Sequence, residues 1–526
     1  MKRAKKKTGR LGDIVGLGSG ILVILLAILI NVNANAGKTA GVNSSEIPAE
    51  AVTVTGTAEG RNGDVTVEVT ATEDKLYRVK ILEEEETEGI GSLALKQMPG
   101  RIFDAQNVQV DNVTGATITS EAIKTAIYNA LKDSGIKPAT FGASLVKIKN
   151  PAKKVETGSG ITVMMAADWA EEYPEIYASY MKNAENKDQE DYVEEYPMIK
   201  TLYDGYGFAK YYDSARGHMY VIDDVTSTGR PHALANCWTC KVPEFTAMVN
   251  EMGDEAYSLA FDDVLQQINE PLSCYNCHAN EPGLNTVTHT YLTDGVGEDF
   301  EQIDGANLAC GQCHNEYYFD PETKATTLPH NSLESMSPDA ILEYYNNFKG
   351  TGEQFSDYTN PNTGIQQIKV QHPEFETFLG EGSVHRNKFT CADCHMGEAV
   401  AEDGTVYKSH YLISPLENEE LLENTCSECH TDLEAQVRAI QSEVMDREEK
   451  IGTKLESLHN KLTDAIASGN YTEEELDAIR QVIRDAQFYW DFVFVENSEG
   501  AHNSALTKQC LDKSEALIEE CEGMFK

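Results

Sequence analysis

Ten of the 12 cysteines fall into five C-x-x-C pairs, and no other feature restricts the fold of this 526-residue chain so strongly. The pairs are Cys237 with Cys240, Cys274 with Cys277, Cys310 with Cys313, Cys391 with Cys394, and Cys426 with Cys429. In the last four a histidine follows directly: His278, His314, His395 and His430. A lone C-x-x-C suits a redox dithiol or half of a zinc site. C-x-x-C-H is the attachment signature of c-type haem: the two thiols add across the vinyl groups and the histidine sits under the iron. Such a multihaem chain has short helices and loops between its motifs, because the haems supply much of the core. The remaining cysteines, Cys510 and Cys521, are eleven positions apart on a predicted helix. They share a face but lie about 16 Å apart along the axis, too far for a mutual disulfide. They read as buried thiols.

The first pair breaks the pattern, with Lys241 where the others have histidine. A lysine amine ligates iron only in its neutral form, so this site must hold the proton off. Relay haems have no need of such a ligand. The odd proximal residue points to an iron whose opposite face is open to substrate. The other four haems, as low-spin electron carriers, each need a sixth ligand. The chain has 13 histidines, which leaves nine for four irons. His385 and His410 flank the fourth motif, His218 and His502 flank the whole block, and these four are the expected distal ligands.

The formal net charge of -43 argues against nucleic acid as a partner. It also opposes an anionic substrate unless cations are placed locally. The N-terminus departs from this balance, with Lys2, Arg3, Lys5, Lys6, Lys7 and Arg10 ahead of an uncharged run from Ile14 to Val32. That run is long enough to cross a bilayer with the basic end inside. Ala34-Asn35-Ala36 also fits a signal-cleavage site. The length of the run favours a retained single-pass anchor over a cleaved, secreted form. Either way the bulk is exported to the extracytoplasmic side, where c-type haem is attached.

Residues 37–50 and 149–160 are small and polar and read as linkers. Between them, residues 51–148 read as a small α+β domain. Val65, Val67 and Val69 alternate with polar residues after Asn62-Gly63, and Leu76–Leu82 is a second strand candidate. Asp111-Asn112-Val113-Thr114-Gly115-Ala116-Thr117-Ile118-Thr119-Ser120 then runs into an amphipathic stretch, Glu121–Lys132, closed by Gly135. A Gly turn with hydroxyl residues at a helix start can bind phosphate, and it can equally be an N-capped helix. Asp111 to Thr117 resembles the D-x-x-[S/T]-G-A-[S/T] signature of FMN-binding domains that carry covalent flavin. Glu86-Thr87-Glu88-Gly89 resembles an upstream element of the same family. The resemblance implies FMN joined through its phosphate to Thr117.

After His430 the pattern is helical. Leu433, Val437, Ile440, Val444, Ile451, Leu455, Leu458 and Leu462 form a heptad seam with one gap, at Arg447 or Glu448. Gly469-Asn470 ends it, Thr472-x-x-Glu475 restarts a helix as a capping box, and a third helix follows His502. The narrow seam suggests a partner helix and a homodimer; packing within the same subunit is the other way to cover it.

Residues 161–526 resemble pentahaem cytochrome c nitrite reductase, the ammonia-forming enzyme. Besides Lys241 and the four C-x-x-C-H motifs in order, several strings carry the likeness. Arg216-Gly217-His218 and Asp224-Val225 precede the first motif, and Cys310-Gly311-Gln312-Cys313-His314 continues into Glu316-Tyr317-Tyr318-Phe319. Lys369-Val370-Gln371-His372-Pro373-Glu374 matches the family's K-x-Q-H-P-E, and Ile483-Arg484-x-Ala486-Gln487 with Trp490-Asp491 matches its last long helices. The resemblance implies Arg230, Tyr317 and His372 around the Lys241 iron. It implies calcium on the Glu316 and Gln371 side chains and the Tyr317 and Lys369 carbonyls, and it maps the distal ligands to His218, His385, His410 and His502. Only six residues separate Arg230 from Cys237, fewer than in the family, and Arg216 is the alternative. Arg230, and His372 when protonated, would supply the positive potential that nitrite needs in an acidic protein. His372 and Tyr317 would donate protons, and calcium would fix the Tyr317 loop beside the His372 strand.

The expected protein is multidomain: a basic end and anchor at 1–36, a linker, a small α+β FMN-binding domain, a second linker, and a mainly α multihaem cytochrome c domain with long C-terminal helices. A membrane or flavoprotein donor would feed the FMN. Four bis-histidine haems would then relay six electrons to nitrite at the Lys241 haem, forming ammonium. Two other readings use the same residues: a reductase of hydroxylamine, sulfite or an organic acceptor, and a non-enzymatic flavin and haem conduit.

Overall fold

The computed structural model describes residues 38–59, 63–84, 91–108, 110, 113, 116–141, 152–207, 209, 216–227, 229, 233–386, 388–401, 404–424, 426–428 and 430–526. The expected anchor, Glu86 to Gly89, Arg230 and Cys429 lie outside them, as does the side chain of Thr117. Among the described residues no helix is long and apolar enough to cross a membrane. The chain divides into two compact units between Lys147 and Ile148.

The first unit is a four-stranded antiparallel sheet covered by two helices. The strands are β1 (Thr39–Gly41), β2 (Val52–Glu59), β3 (Asp64–Ala71) and β4 (Leu76–Glu83), in the order β1-β4-β3-β2. Val65, Val67 and Val69 are fully buried, because period-2 alternation puts every second side chain of β3 on the covered face. Helices α1 (Gly91–Ala105) and α2 (Thr117–Asp133) pack on that face, α2 against β2 and β3. Gly56 lets this happen: a Cβ there would sit 2.1 Å from the Ala126 carbonyl oxygen and 2.4 Å from the Ala130 nitrogen. Two expectations need correction. The helix expected from Glu121 already begins at Thr117, within the hydroxyl run. The segment 37–50 is more than a linker, since β1 pairs with β4, Thr39 opposite Lys80.

The second unit is mainly helical. The motifs sit on short turns of helix, such as Cys274–His278 and Cys391–His395, as expected where cofactors fill the spaces between. The segment 149–160 is likewise more than a linker. Its strand β5 (Ala152–Lys154) pairs in parallel with β6 (Asn285–Val287), and Lys153 bonds Glu281 at 2.8 Å. The unit ends in three long helices: α3 (Leu433–Ser468), α4 (Glu473–Phe494) and α5 (Ser504–Glu522). Gly469 caps α3 in the left-handed conformation. Thr472 and Glu475 form the capping box that starts α4.

The seam on α3 is covered from within. Val444, Ile451, Leu455, Leu458 and Leu462 are buried in one core with Met198, Ile199 and Leu202 and with the apolar faces of α4 and α5. Only Leu433, Val437 and Ile440, ahead of that core, keep partial exposure. Glu448 fills the gap in the seam and is 3 % exposed. Arg447 beside it turns outward to Asp512 at 2.9 Å and Glu515 at 2.7 Å on α5. Cys510 and Cys521 are both buried and free.

Candidate haem array and active site

Four histidine pairs dominate the second unit. Ring centroids of His218 and His314 are 5.9 Å apart, of His278 and His410 6.2 Å, of His385 and His430 6.2 Å, and of His395 and His502 6.0 Å. Each pair joins one motif histidine to one of the four expected distal residues. Metal–imidazole bonds of about 2 Å on opposite sides of one iron put the two centroids about 6 Å apart, so the spacing fits a haem iron between the rings.

The hydrogen bonds fit too. Nδ1 of His278 donates to the Leu284 carbonyl at 2.9 Å, that of His395 to Ile413 O at 3.0 Å, and that of His410 to Lys408 O at 3.0 Å. His430 Nδ1 meets Gln436 Oε1 at 2.9 Å, and His502 Nδ1 meets Glu496 Oε1 at 2.6 Å. In each case Nδ1 is occupied, which leaves Nε2 toward the partner ring. His289, His330 and His459 spend both nitrogens on protein groups. His314 has a second neighbour, His372, at 6.2 Å between centroids.

The motifs adjoin one another. The Cys240 and Cys313 thiols lie side by side, as do those of Cys310 and Cys391. Cys277 lies near Cys310, and Cys394 near Cys426. One polar cluster ties three motifs through the residue before the second cysteine. Gln312 Oε1 accepts from the Thr288 and His289 N–H groups at 2.5 and 3.0 Å, and its Nε2 donates to Asn276 O at 3.0 Å. His289 Nε2 donates to Thr239 O at 2.8 Å. These inter-motif roles escape sequence reasoning, because no local pattern marks Thr288-His289 as the meeting point.

Around the first motif, the Lys241 amine is half-buried and donates to Cys237 O at 2.8 Å, one turn back. His372 and Tyr317 share its neighbourhood: Lys241 lies near His372, and Cys240 and Cys237 lie near Tyr317. Burial pushes the Tyr317 phenol well above its ordinary range, so it keeps its proton. Burial also lowers His372 to about 4, with Glu374 opposing and His314, Lys369 and Lys241 adding to the drop. Its imidazole is therefore neutral near pH 7, without the positive charge it would carry when protonated. Its Nδ1 is buried without a hydrogen-bond partner. Arg216, the alternative to Arg230, is already engaged: its Nε donates to Asp224 at 2.8 Å and its guanidinium lies 4.1 Å from the Tyr220 ring centroid.

Three of the four expected calcium ligands, Glu316, Gln371 and Lys369, are joined by hydrogen bonds. Glu316 is fully buried. Its Oε2 accepts from the Gln371 N–H at 2.6 Å and its Oε1 from Tyr345 at 2.8 Å, while Gln371 Nε2 donates to Lys369 O at 2.8 Å. Burial pushes the Glu316 carboxyl well up, and Glu376 and Asp357 push it further. A buried carboxylate facing two more acids, beside carbonyl and amide oxygens, fits a hard divalent cation. Among the described residues no group of three or more His, Cys, Asp and Glu is arranged to hold a metal; this donor set has one carboxylate, and the rest are neutral oxygens.

The segment 368–372, expected as a strand, has no strand pairing and is held by helix α4 instead. Asp491 is fully buried and accepts from the Val370 N–H at 2.9 Å, from Lys369 Nζ at 3.3 Å and from Tyr203. Arg484 donates to the carbonyls of Phe355 at 2.7 Å and of Gln366, and Gln487 accepts from Gln367 at 2.8 Å.

Residues 166–523 match the family model described as cytochrome c552, and residues 60–132 match that of the FMN-binding domain. The chain is similar to the catalytic subunit of cytochrome c nitrite reductase from Desulfovibrio desulfuricans, a structure described with two calcium sites. The TM-score is 0.61 at 28 % identity, over 70 % of this chain and 87 % of that one. The outer cell wall cytochrome OcwA aligns over 57 % of this chain and 48 % of its own, with a TM-score of 0.31 and 20 % identity. An undecahaem cytochrome from the S-layer of Carboxydothermus ferrireducens aligns over 58 % and 40 %, with 0.29 and 17 %. The chain belongs to the cytochrome c552 family: a multihaem unit of the nitrite reductase type, preceded by an FMN-binding domain.

Proposed function

We propose that this protein is an exported, membrane-anchored flavocytochrome that reduces nitrite to ammonium. The observation that carries the reading is the set of four histidine pairs at 5.9–6.2 Å, each built on one motif histidine, with Lys241 in the remaining motif. Haem c, when bound, supplies one-electron redox chemistry at each motif. The six electrons taking nitrite nitrogen from +3 to -3 come from a membrane or flavoprotein donor by way of FMN attached at Thr117. His218, His385, His410 and His502 are assigned as distal ligands, and Lys241 as the proximal ligand of the iron that meets substrate.

The side chains divide the remaining work. Arg230 binds and polarises a nitrite oxygen against the acidic bulk of the protein. Tyr317, held protonated, gives one of the two protons that a departing oxygen needs to leave as water, and solvent supplies the second and reprotonates the phenol. His372, neutral, accepts or passes a hydrogen bond at the bound nitrogen species. Calcium, when bound, would be held by Glu316, Gln371 and the Tyr317 and Lys369 carbonyls, and would tie the loop carrying Tyr317 to the segment carrying His372. Association into a homodimer through the C-terminal helices belongs to the same reading.

The test is oxidation of the dithionite-reduced holoprotein by nitrite, with ammonium quantified and hydroxylamine and sulfite assayed beside it. One ammonium per six electrons, with nitrite turned over more efficiently than sulfite, supports the proposal. Oxidation without ammonium, or a high-spin signal absent from the oxidised protein, overturns it in favour of a conduit.

A further inference from the structure

We infer that Glu496 lowers the reduction potential of the haem held between His395 and His502, and so makes this member of the array pass electrons on and not store them. The inference rests on the assignment of those two histidines as one axial pair. Glu496 is 4 % exposed, and its Oε1 accepts from His502 Nδ1 at 2.6 Å. The carboxylate is held rigidly: Ser498 Oγ donates to its Oε2 at 2.6 Å and itself accepts the His502 backbone N–H at 2.9 Å. Among the described residues no lysine or arginine forms an ion pair with Glu496.

The other Nδ1 contacts are of a different kind. His278, His395 and His410 donate to backbone carbonyls, and His430 meets the neutral side chain of Gln436. The nearest comparison is His314, whose Nδ1 lies 3.7 Å from Glu374 Oε2, ion-pair range but beyond a hydrogen bond. A carboxylate bonded to the outer nitrogen of a ligating imidazole raises its basicity and strengthens its donation to the metal. Its negative charge, buried where water screens little, also favours the ferric over the ferrous state. Both effects act in the same direction. A neutral carbonyl partner fixes the ring in the same tautomer but brings no charge.

The geometry also separates Glu496 from the other acids nearby. Glu374 also acts on His502, but its carboxylate lies against His314. Glu499 acts on Glu448, as Glu496 does, and among the described residues no hydrogen bond joins Glu499 to a histidine. It therefore serves as a control for the general field of the acidic cluster.

The experiment is a potentiometric titration of the holoprotein and of Glu496→Gln, Glu499→Gln and His502→Ala, followed by haem absorbance and low-temperature EPR. Glu496→Gln keeps the shape and an acceptor oxygen, and removes the charge. The expected result is one low-spin component shifted to higher potential by about tenfold or more in its reduction equilibrium, about 59 mV for a one-electron couple. The other components stay in place and the component remains low-spin. That component must be the one lost in His502→Ala. If His502→Ala loses no low-spin component, the ligand assignment fails. If it loses one but Glu496→Gln leaves that component unmoved, or Glu499→Gln moves it as far, the role of Glu496 is overturned. A Glu496→Gln protein in which the component turns high-spin also overturns it, showing that Glu496 only holds the ring in place.

Discussion

Replacing Glu448 by glutamine should stabilise the protein, and by an amount that grows with pH. Glu448 occupies the gap in the apolar seam of α3, 3 % exposed, with no cation on it among the described residues. Burial, and the nearby carboxylates of Glu499 and Glu496, push its carboxyl up to about 8. In an unfolded chain a glutamate titrates at about 4.3. Below that value both states hold the proton and Glu448 costs nothing. As pH rises, the unfolded chain releases its proton while the folded protein keeps it, so stability falls by about 1.4 kcal/mol per pH unit until the folded group also ionises. The loss is roughly 1 kcal/mol at pH 5, roughly 3 to 4 at pH 7, and levels off near 5 above pH 8.

Glutamine has nearly the shape of the protonated acid and no charge to release. Glu448→Gln therefore matches the parent near pH 4 and exceeds it by the amounts above at higher pH. Denaturant unfolding of the holoprotein at pH 5, 7 and 8.5, followed by far-ultraviolet circular dichroism, measures the difference. A gap that does not change with pH, or a variant less stable than the parent at pH 7, would refute the electrostatic argument. The packing of Glu448 would then be what holds α3 to α4, where its carbonyl accepts from Trp490 Nε1 at 2.9 Å.

Three further predictions test other parts of the molecule. Gly56→Ala drives a methyl into the backbone of α2, which cannot move aside as a side chain could, so it should destabilise the first unit by about 3 kcal/mol or more; unchanged flavin content and protease resistance of that unit would contradict it. His372→Asn should abolish nitrite turnover yet keep all four low-spin haems, whereas a new high-spin signal would make His372, and not His218, the ligand opposite His314. Glu316→Gln should lower calcium affinity by about tenfold or more and make turnover calcium-dependent at micromolar chelator-buffered concentrations; activity equal to the parent after chelation would remove calcium from the site.

The parts of this fold that are legible in the sequence are those whose cause is local. Val65, Val67 and Val69 announce β3 because one face of the sheet is covered and the other is not. Helix α1 is not legible: Pro99 interrupts its pattern, and packing on β4, β1 and α2 holds it in place. Strand β1 is three small residues that become a strand by pairing with β4. The α3 seam shows the same division. Its spacing marks an apolar stripe, but spacing cannot say what covers it, and here most of the cover is α4, α5 and the segment around Met198.

The candidate site follows the same rule. C-x-x-C-H fixes five neighbouring residues, so the motif histidines are visible one at a time, whereas a distal ligand is defined only by the ring it faces across some 90 to 130 residues in three of the four pairs. Glu496 is invisible for that reason: nothing in Glu496-Asn497-Ser498 singles it out among the 86 acidic residues until His502 is found on its oxygen. The string around Trp490-Asp491 carries the converse lesson. Its charged and amide residues are buried; Arg484 and Asp491 satisfy backbone groups of residues 355–370 and Gln487 accepts from the Gln367 side chain, in the segment that leads directly to Gln371 and His372. A buried carboxylate such as Asp491 is costly unless every oxygen is bonded, and here a lysine, a tyrosine and a backbone N–H meet it. A long helix far along the chain thereby fixes the position of the segment at the candidate active site. That explains why the likeness to a nitrite reductase extends to residues that touch no substrate.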